Sequence, residues 1–462
     1  MSMILSQSKL VSIFKFLIFC LFLPIQIWAN TTQLEIQVSK SFVGTFKLFS
    51  LSNPLLNAEK LVANAERRAD DIFVFQLPIQ ETSHFYIDND FTAKEIYLEP
   101  GKQYFLIYDA VKKQIEWKNQ EKDDLNVWIE KLNSDCNSFF TKYFGTFAGR
   151  IPSADARNFI AKLNDDFGKQ SNLYFKTCLY FKIATIEKIA GLKKTSVLAN
   201  DYLNNAPFLY AHPFYLDFLN LMADGYLDVF LIGKGGNTLR QQVNGNQAYD
   251  KIYQTFLQDS TWKKEHLRHY MLLSGLKNLC YNKEFRKDNI ITIFQSASKT
   301  IKNEQLSRWA LEMFNAMGKF ISGKPVPNAT FTQMSGNKTN LLSYKGKPIY
   351  ISYFPKAGNF AGQELAKLKT IYAKAKGSVV LITILGDMPA KALEGFVKRN
   401  NYEWIFGVCQ TDDSFCEIYE TGEQPSYYLI DAKSNTFQIP AEAPSTDVEM
   451  QFPALLRIKA EK

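Results

Sequence analysis

From residue 30 to about 118 the chain alternates apolar and polar positions in short runs. Leu34–Val38, Phe73–Leu77, Phe85–Ile87 and Ile96–Leu98 carry a period of two, and Tyr104–Tyr108 is a more continuous apolar run; these are strand patterns. Pro100 and Gly101 mark a turn between two of them. Many short strands joined by turns predict a small β-sandwich. From about 119 the period becomes helical: Leu125, Trp128, Ile129, Leu132 and Cys136 fall on one face at three- and four-residue spacing. Ser153 offers a helix start, and Asp259-Ser260 precedes another long pattern. Up to about residue 320 the reading is a helical domain of seven or more helices. Ser322–Pro327, with Gly323 and two prolines, is the clearest linker.

After the linker, strand and helix patterns alternate. Tyr350–Phe354 is an apolar strand followed by a short loop and a helix, and Val379–Leu385 is a second buried strand. Pro389–Asn400 is a helix with proline at its first turn. Trp404–Val408 reads as an inserted strand, Asp412–Glu420 as a short helix, Pro425–Ile430 as a strand opened by proline, and Thr436–Ile439 as a further strand before a last helix.

That order, with the lead-in Leu342-Ser343 to Gly346-Lys347, resembles the periplasmic thioredoxin-like oxidoreductases of the TlpA and ResA type, which are related to the AhpC/TSA group. The family's first strand runs into F-W-A-S-W-C-P-P-C-x-x-E, and a cis-proline faces the two cysteines. Aligned on the strand and on Glu364, the cysteine positions fall on Gly358 and Ala361, with Asn359 and Phe360 between them. Pro425, preceded by Gln424, matches the cis-proline. The resemblance covers residues 322–462 and implies an α/β fold there. It also implies a groove between residues 358–361 and Pro425, where backbone before the proline pairs with an extended peptide. Neither glycine nor alanine exchanges electrons, so dithiol chemistry at Gly358 and Ala361 is excluded by residue type.

Composition narrows the setting. The 462 residues are too many for one small core, and 46% hydrophobic with 22% charged content describes a globular chain. Lys9 and Lys15 ahead of the apolar run Phe16–Ile27, with Ala29 before Asn30, predict a secretory leader cut after Ala29. No later stretch is long and uncharged enough to span a bilayer. The expected organisation is therefore leader 1–29, β-sandwich-like domain 30–118, helical domain 119–321 and thioredoxin-like domain 322–462. It implies a periplasmic or other envelope location. The net charge of +8 is weak over this length, and no basic stripe interleaves with aromatics, so nucleic acid is not an expected partner.

Candidate chemistry is sparse. Five cysteines follow the leader: Cys136, Cys178, Cys280, Cys409 and Cys416. Cys409 and Cys416 are read as packing residues, a structural disulfide or a redox pair near the proline strand. His266 and His269, beside Glu265, are read as a solvated helix face with no third ligand near; no metal is expected. His84 and His212 have no ligating company. Gly233–Gly236 lacks phosphate-loop spacing and reads as a connection. The aromatic stretch Pro207–Phe230 is read as a buried central helix, with a docking surface as the alternative. No cofactor motif is present. The leading expectation is a redox-inactive thioredoxin-like binding or scaffold module with a protein or peptide partner in the envelope. One alternative is an oxidoreductase using Cys409 and Cys416; another is an interaction protein recruiting through its helices.

Overall fold

The computed structural model describes residues 31–39, 42–68, 70–89, 91–118, 124–144, 151–282, 284–375, 377–386, 388–410, 413–419 and 425–458. The expected leader lies outside them. Among the described residues no helix is long and apolar enough to cross a membrane. The chain divides into two compact units. One takes the described residues up to Asn237 with Gln254–Leu276; the other takes Thr238–Tyr253 and those from Lys277 on.

The first unit begins with nine strands: β1 (Thr32–Gln37), β2 (Lys47–Asn53), β3 (Ala58–Asn64), β4 (Glu66–Arg67), β5 (Ile72–Leu77), β6 (Ser83–Asp88), β7 (Ala93–Leu98), β8 (Gln103–Asp109) and β9 (Gln114–Trp117). They form one sheet of order β4-β5-β1-β8-β9 and another of order β3-β2-β6-β7. Alternate residues such as Leu34, Ile36, Phe73 and Phe75 share one apolar core with Leu48, Ile87 and Ile96 of the other sheet. Phe42, Phe46, Phe73 and Tyr108 pack there with ring centroids 5.1–5.8 Å apart. The alternation did not disclose β2 and β3. Most of their residues are half-exposed or exposed, so no one-sided period is written into them.

Helices follow: α1 (Leu125–Phe144), α2 (Ser153–Phe167), α3 (Leu173–Ile189), α4 (Thr195–Leu198), α5 (Pro213–Ala223), α6 (Tyr226–Ile232), α7 (Gly236–Asn244), α8 (Tyr249–Phe256), α9 (Glu265–Leu279), α10 (Lys287–Thr300) and α11 (Glu304–Met317). The predicted stripe of α1 is buried at Leu125, Ile129, Leu132 and Cys136. Asp124 caps it by accepting from the Asn126 N–H at 2.7 Å. The Asn126 amide then accepts from the Tyr97 N–H at 2.8 Å and donates to the Tyr97 carbonyl at 2.9 Å. It thereby satisfies β7 as a neighbouring strand would. Helix α5 is buried at Phe214, Tyr215, Leu216, Phe218, Leu219 and Met222.

The expected solvated face at His266 and His269 is corrected. His269 is 4% exposed, and Leu267, Tyr270, Met271, Leu272 and Leu273 are buried around it. Apolar neighbours on most sides of α9 hide the helix face from water despite the lysines before it.

The Gly233–Gly236 connection is a tight turn. The Gly233 N–H donates to Phe230 and the Gly236 N–H to Gly233. A Cβ at Gly236 would lie 1.8 Å from the Leu231 carbonyl oxygen. Because the obstacle is backbone, Gly236→Ala must open the α6–α7 turn. The expected cost is at least about 2 kcal/mol in urea unfolding. A loss below about 0.5 kcal/mol would show that the turn opens freely.

The second unit ends in a seven-stranded sheet built from β10 (Thr330–Gln333), β11 (Lys338–Asn340), β12 (Ile349–Phe354), β13 (Val380–Leu385), β14 (Ile405–Val408), β15 (Ser426–Ile430) and β16 (Thr436–Gln438). Its order is β11-β10-β14-β13-β12-β15-β16. Strands β12, β13 and β14 are parallel, and β15 is antiparallel to β12. Every residue of β12 is buried, as a central strand covered on both faces requires. Helices α12 (Asn359–Ala375) and α13 (Ala390–Asn400) contribute to the core on one face with Tyr350, Phe354, Leu381 and Leu429; Phe331, Ile351, Tyr353, Ile384 and Phe415 build the core of the other. The chain then continues through α14 (Phe415–Ile418) to β15 and closes with α15 (Phe452–Leu456).

The segment read as a linker is not a free connection. The Gly323 and Val326 N–H groups donate to the carbonyls of Thr436 and Ser434, and the Thr436 N–H donates to Lys324, at 2.8–2.9 Å. Residues 323–326 are laid along β16 as a further rung of the sheet.

Candidate groove at the start of helix α12

The C-terminal ends of β12, β13 and β14 lie side by side, with Phe354 paired to Leu385 and Leu385 to Val408. Beyond β12 the chain turns through Pro355–Gly358 into α12, and the Gly362 N–H donates to the Gly358 carbonyl at 3.0 Å. Glycine at 386 makes this turn possible. Its N–H donates to the Phe354 carbonyl at 2.9 Å, and a Cβ there would lie 2.6 Å from the Tyr353 hydroxyl and 3.2 Å from the Pro355 carbonyl oxygen. The framework beneath is tied by polar groups. The Ser352 and Thr383 hydroxyls lie 2.9 Å apart, and the Trp404 indole N–H donates to Thr383 at 2.9 Å.

Phe354, Pro355, Lys356, Gly358, Asn359, Phe360, Ala361 and Pro425 line a cavity of about 490 Å³ at this edge. Gly358, Asn359 and Phe360 are exposed, with the Phe360 ring 53% open to solvent, and Ala361 is buried. A Cβ on Gly358 would meet nothing within 4 Å. None of the lining residues carries sulfur. Glu364 sits one turn into α12, buried, where its Oε2 accepts from the Ser445 N–H at 3.0 Å. Burial, reinforced by Glu364, pushes the Tyr427 hydroxyl well above its usual range. Gln424, and with it the peptide bond before Pro425, lies outside the described residues. The sequence pattern pointed to Gly358–Ala361 and Pro425; Phe354, Pro355 and Lys356 complete the lining and were legible only as the strand end and loop before the motif.

Cys409 and Cys416 form a disulfide with Cα atoms 6.3 Å apart. Both are half-buried and pack on the face of Phe331, Tyr353 and Phe415, away from α12. Cys409 follows β14, two strands from Phe354, so it shares the sheet edge but not the groove lining. The loop is tied independently: Asp413 Oδ2 accepts from Thr332 Oγ1 and from the Gln410 N–H, both at 2.8 Å. Cys136, Cys178 and Cys280 are buried free thiols. Burial pushes the first up to about 11 and the last up to about 12, which leaves them protonated and unreactive at neutral pH. Among the described residues no group of three or more His, Cys, Asp or Glu side chains gathers to hold a metal.

The disulfide closes a short loop with a sequence separation of 7. Loop-closure entropy then gives an expected loss of about 2 kcal/mol for the Cys409→Ser/Cys416→Ser variant. The check is chemical unfolding of the variant beside the wild type.

No family model matches the chain. It is 26% identical over 110 residues to the thiol-disulfide oxidoreductase ResA of a Bacillus cereus strain, a match covering 24% of this chain and 63% of that protein. The match thus spans less than two thirds of that relative's length. Among solved structures, a thioredoxin-like protein from Bacteroides caccae aligns with 56% of this chain and 92% of its own at 14% identity and a TM-score of 0.36. A thiol:disulfide interchange protein from Bacteroides sp. aligns with 29% and 90% at 17% identity and a TM-score of 0.26. Over part of its length the chain is thus similar to a thiol-disulfide oxidoreductase.

Proposed function

We propose that this protein is an envelope-located binding module, in which a thioredoxin-like groove without its dithiol holds an extended peptide segment of another protein. The observation that carries this reading is the composition of the groove: a cavity bordered by Phe354, Ala361 and Pro425, an exposed Phe360 at its rim, and no sulfur among its described lining residues. The start of α12 adds backbone N–H groups that suit a peptide carbonyl. The leader pattern over residues 1–29, with cleavage after Ala29, supports the envelope location.

The test is fluorescence anisotropy with a labelled, S-alkylated insulin B chain as the extended probe. Saturable binding that falls at least tenfold in Phe360→Asp is expected, with no insulin reduction above background. Turnover of insulin disulfides that disappears in Cys409→Ser would overturn the reading and establish the oxidoreductase alternative. That second reading rests on the joined Cys409–Cys416 pair at the same sheet edge.

A further inference from the structure

The aromatic loop ahead of α5, which the groove does not use, borders a second cavity lying wholly within the first unit. Its volume is about 880 Å³, within the range of small-molecule sites. Its walls are residues of β2, β3 and β6, the first turns of α3, and residues 208–213.

The surface an occupant can reach is apolar. Leu173, the first residue of α3, lines the cavity and is 78% exposed. Leu51, Phe208, Leu209 and Tyr210 on the same lining are each half-buried. The Phe208 and Tyr210 rings lie 4.5 Å apart and make an aromatic ledge. His84, His212 and Tyr174 also stand in the wall, but Nε2 of His84, Nδ1 of His212 and the Tyr174 hydroxyl are buried. These three therefore serve as wall and not as binding groups. Large apolar side chains left open around one concave space mark an interaction site, since packing alone would close over them.

Charge adds a second constraint. Burial lowers both imidazoles from 6.5 to about 4, so they are neutral at pH 7. Lys60 and Glu81 are then the charged residues of the described lining, and both are exposed. Among the described residues neither forms an ion pair, with the other or elsewhere. A ligand of one sign would be attracted by one of them and repelled by the other; a head carrying both signs suits both. The apolar lining asks for a chain, and the volume leaves room for one beside the head. We propose that this cavity binds a single-chain zwitterionic amphiphile of the lysophospholipid type, with a phosphate and an ammonium in its head. The chain lies on Leu51, Leu173 and the Phe208–Tyr210 ledge, the phosphate toward Lys60 and the ammonium toward Glu81.

The experiment is calorimetric titration of the full chain with lauroyl-lysophosphatidylethanolamine, lauroyl-lysophosphatidylglycerol and lauroylcholine, each below its micelle-forming concentration. Saturable binding of the first is expected, at least roughly threefold tighter than the other two, which keep the chain and only one of the charges. Lys60→Glu is expected to move the preference to lauroylcholine, and Glu81→Lys to lauroyl-lysophosphatidylglycerol. Leu173→Asp places an acid at a helix start, which tolerates it; it is expected to fold as the wild type and to weaken the zwitterion. No saturable binding by any probe would overturn the proposal, as would equal affinity for the three heads or an order unchanged by both charge reversals. Unchanged affinity in Leu173→Asp would overturn it too. So would glycerophosphoethanolamine binding as tightly as its lauroyl ester, since the head alone would then suffice. The groove beside Pro425 is in the other unit, so failure here leaves its reading untouched.

Discussion

Gly358→Cys/Ala361→Cys is expected to give the groove beside Pro425 a disulfide-reductase activity. Position 358 is exposed and has no atom within 4 Å of an added Cβ, so a thiol fits without rearrangement. It would stand immediately before α12, whose N-terminal N–H groups and dipole stabilise a thiolate. Thiols so placed have pKa values of roughly 3.5–7.5, against ~8.5 for free cysteine, and are largely ionised at pH 7. Position 361 is buried and would supply the second sulfur, three residues on. Insulin reduction driven by dithiothreitol should rise by at least roughly 100-fold over background in the double variant, since none of the described residues lining the wild-type groove carries a thiol. Gly358→Cys alone should be alkylated rapidly and remain a poor catalyst, for want of a resolving thiol. If the double variant reacts no faster than an ordinary surface cysteine, the helix start is not presented as the groove reading requires.

Acid is expected to destabilise the first unit progressively as the pH falls from about 6.5 toward 4. His84 and His212 are held neutral in the fold, with pKa values lowered from 6.5 to about 4 by burial, and for His84 by the proximity of His212. The unfolded chain binds protons on both rings between pH 6.5 and 4, and the folded chain does not. Their contribution is therefore complete above about pH 6.5 and is lost as the pH falls toward 4. A shift of this size corresponds to about 3 kcal/mol per ring, a large share of a typical domain's ~5–15 kcal/mol. Urea midpoints measured from pH 7 to 4.5 should fall steeply for the wild type. They should fall much less for His84→Phe/His212→Phe, which has no imidazole to protonate. Equal slopes for the two proteins would assign the acid sensitivity to other groups.

Much of the fold was legible because burial wrote itself into periodicity. The predicted runs at Leu34–Val38, Phe73–Leu77 and Tyr104–Tyr108 coincide with β1, β5 and β8, and the strands and helix around Phe354 coincide with β12, α12 and β13. What failed was where one-sided burial fails. Strand β3 presents mostly exposed positions, and α9 is buried on most sides, so neither shows a clean face. The groove was legible at Gly358–Ala361 and Pro425 through resemblance, while the disulfide stood among three open alternatives, since a seven-residue spacing permits a bond without requiring one. The first-unit cavity was invisible. His84, Tyr174 and His212 are remote in sequence and lie on a strand, a helix and a loop, and no local spacing announces a wall assembled from all three.

The rung formed by residues 323–326 has a practical consequence for dissecting the chain. A fragment begun at Pro327 would omit hydrogen-bonding partners of Ser434 and Thr436 and bare the outer edge of β16. An uncovered strand edge invites the edges of other molecules, so such a fragment would tend to self-associate through a surface the whole chain never presents. A cut that keeps Ser322–Val326 with the sheet would avoid that artefact, and oligomers seen with the shorter piece would describe the scissors rather than the protein.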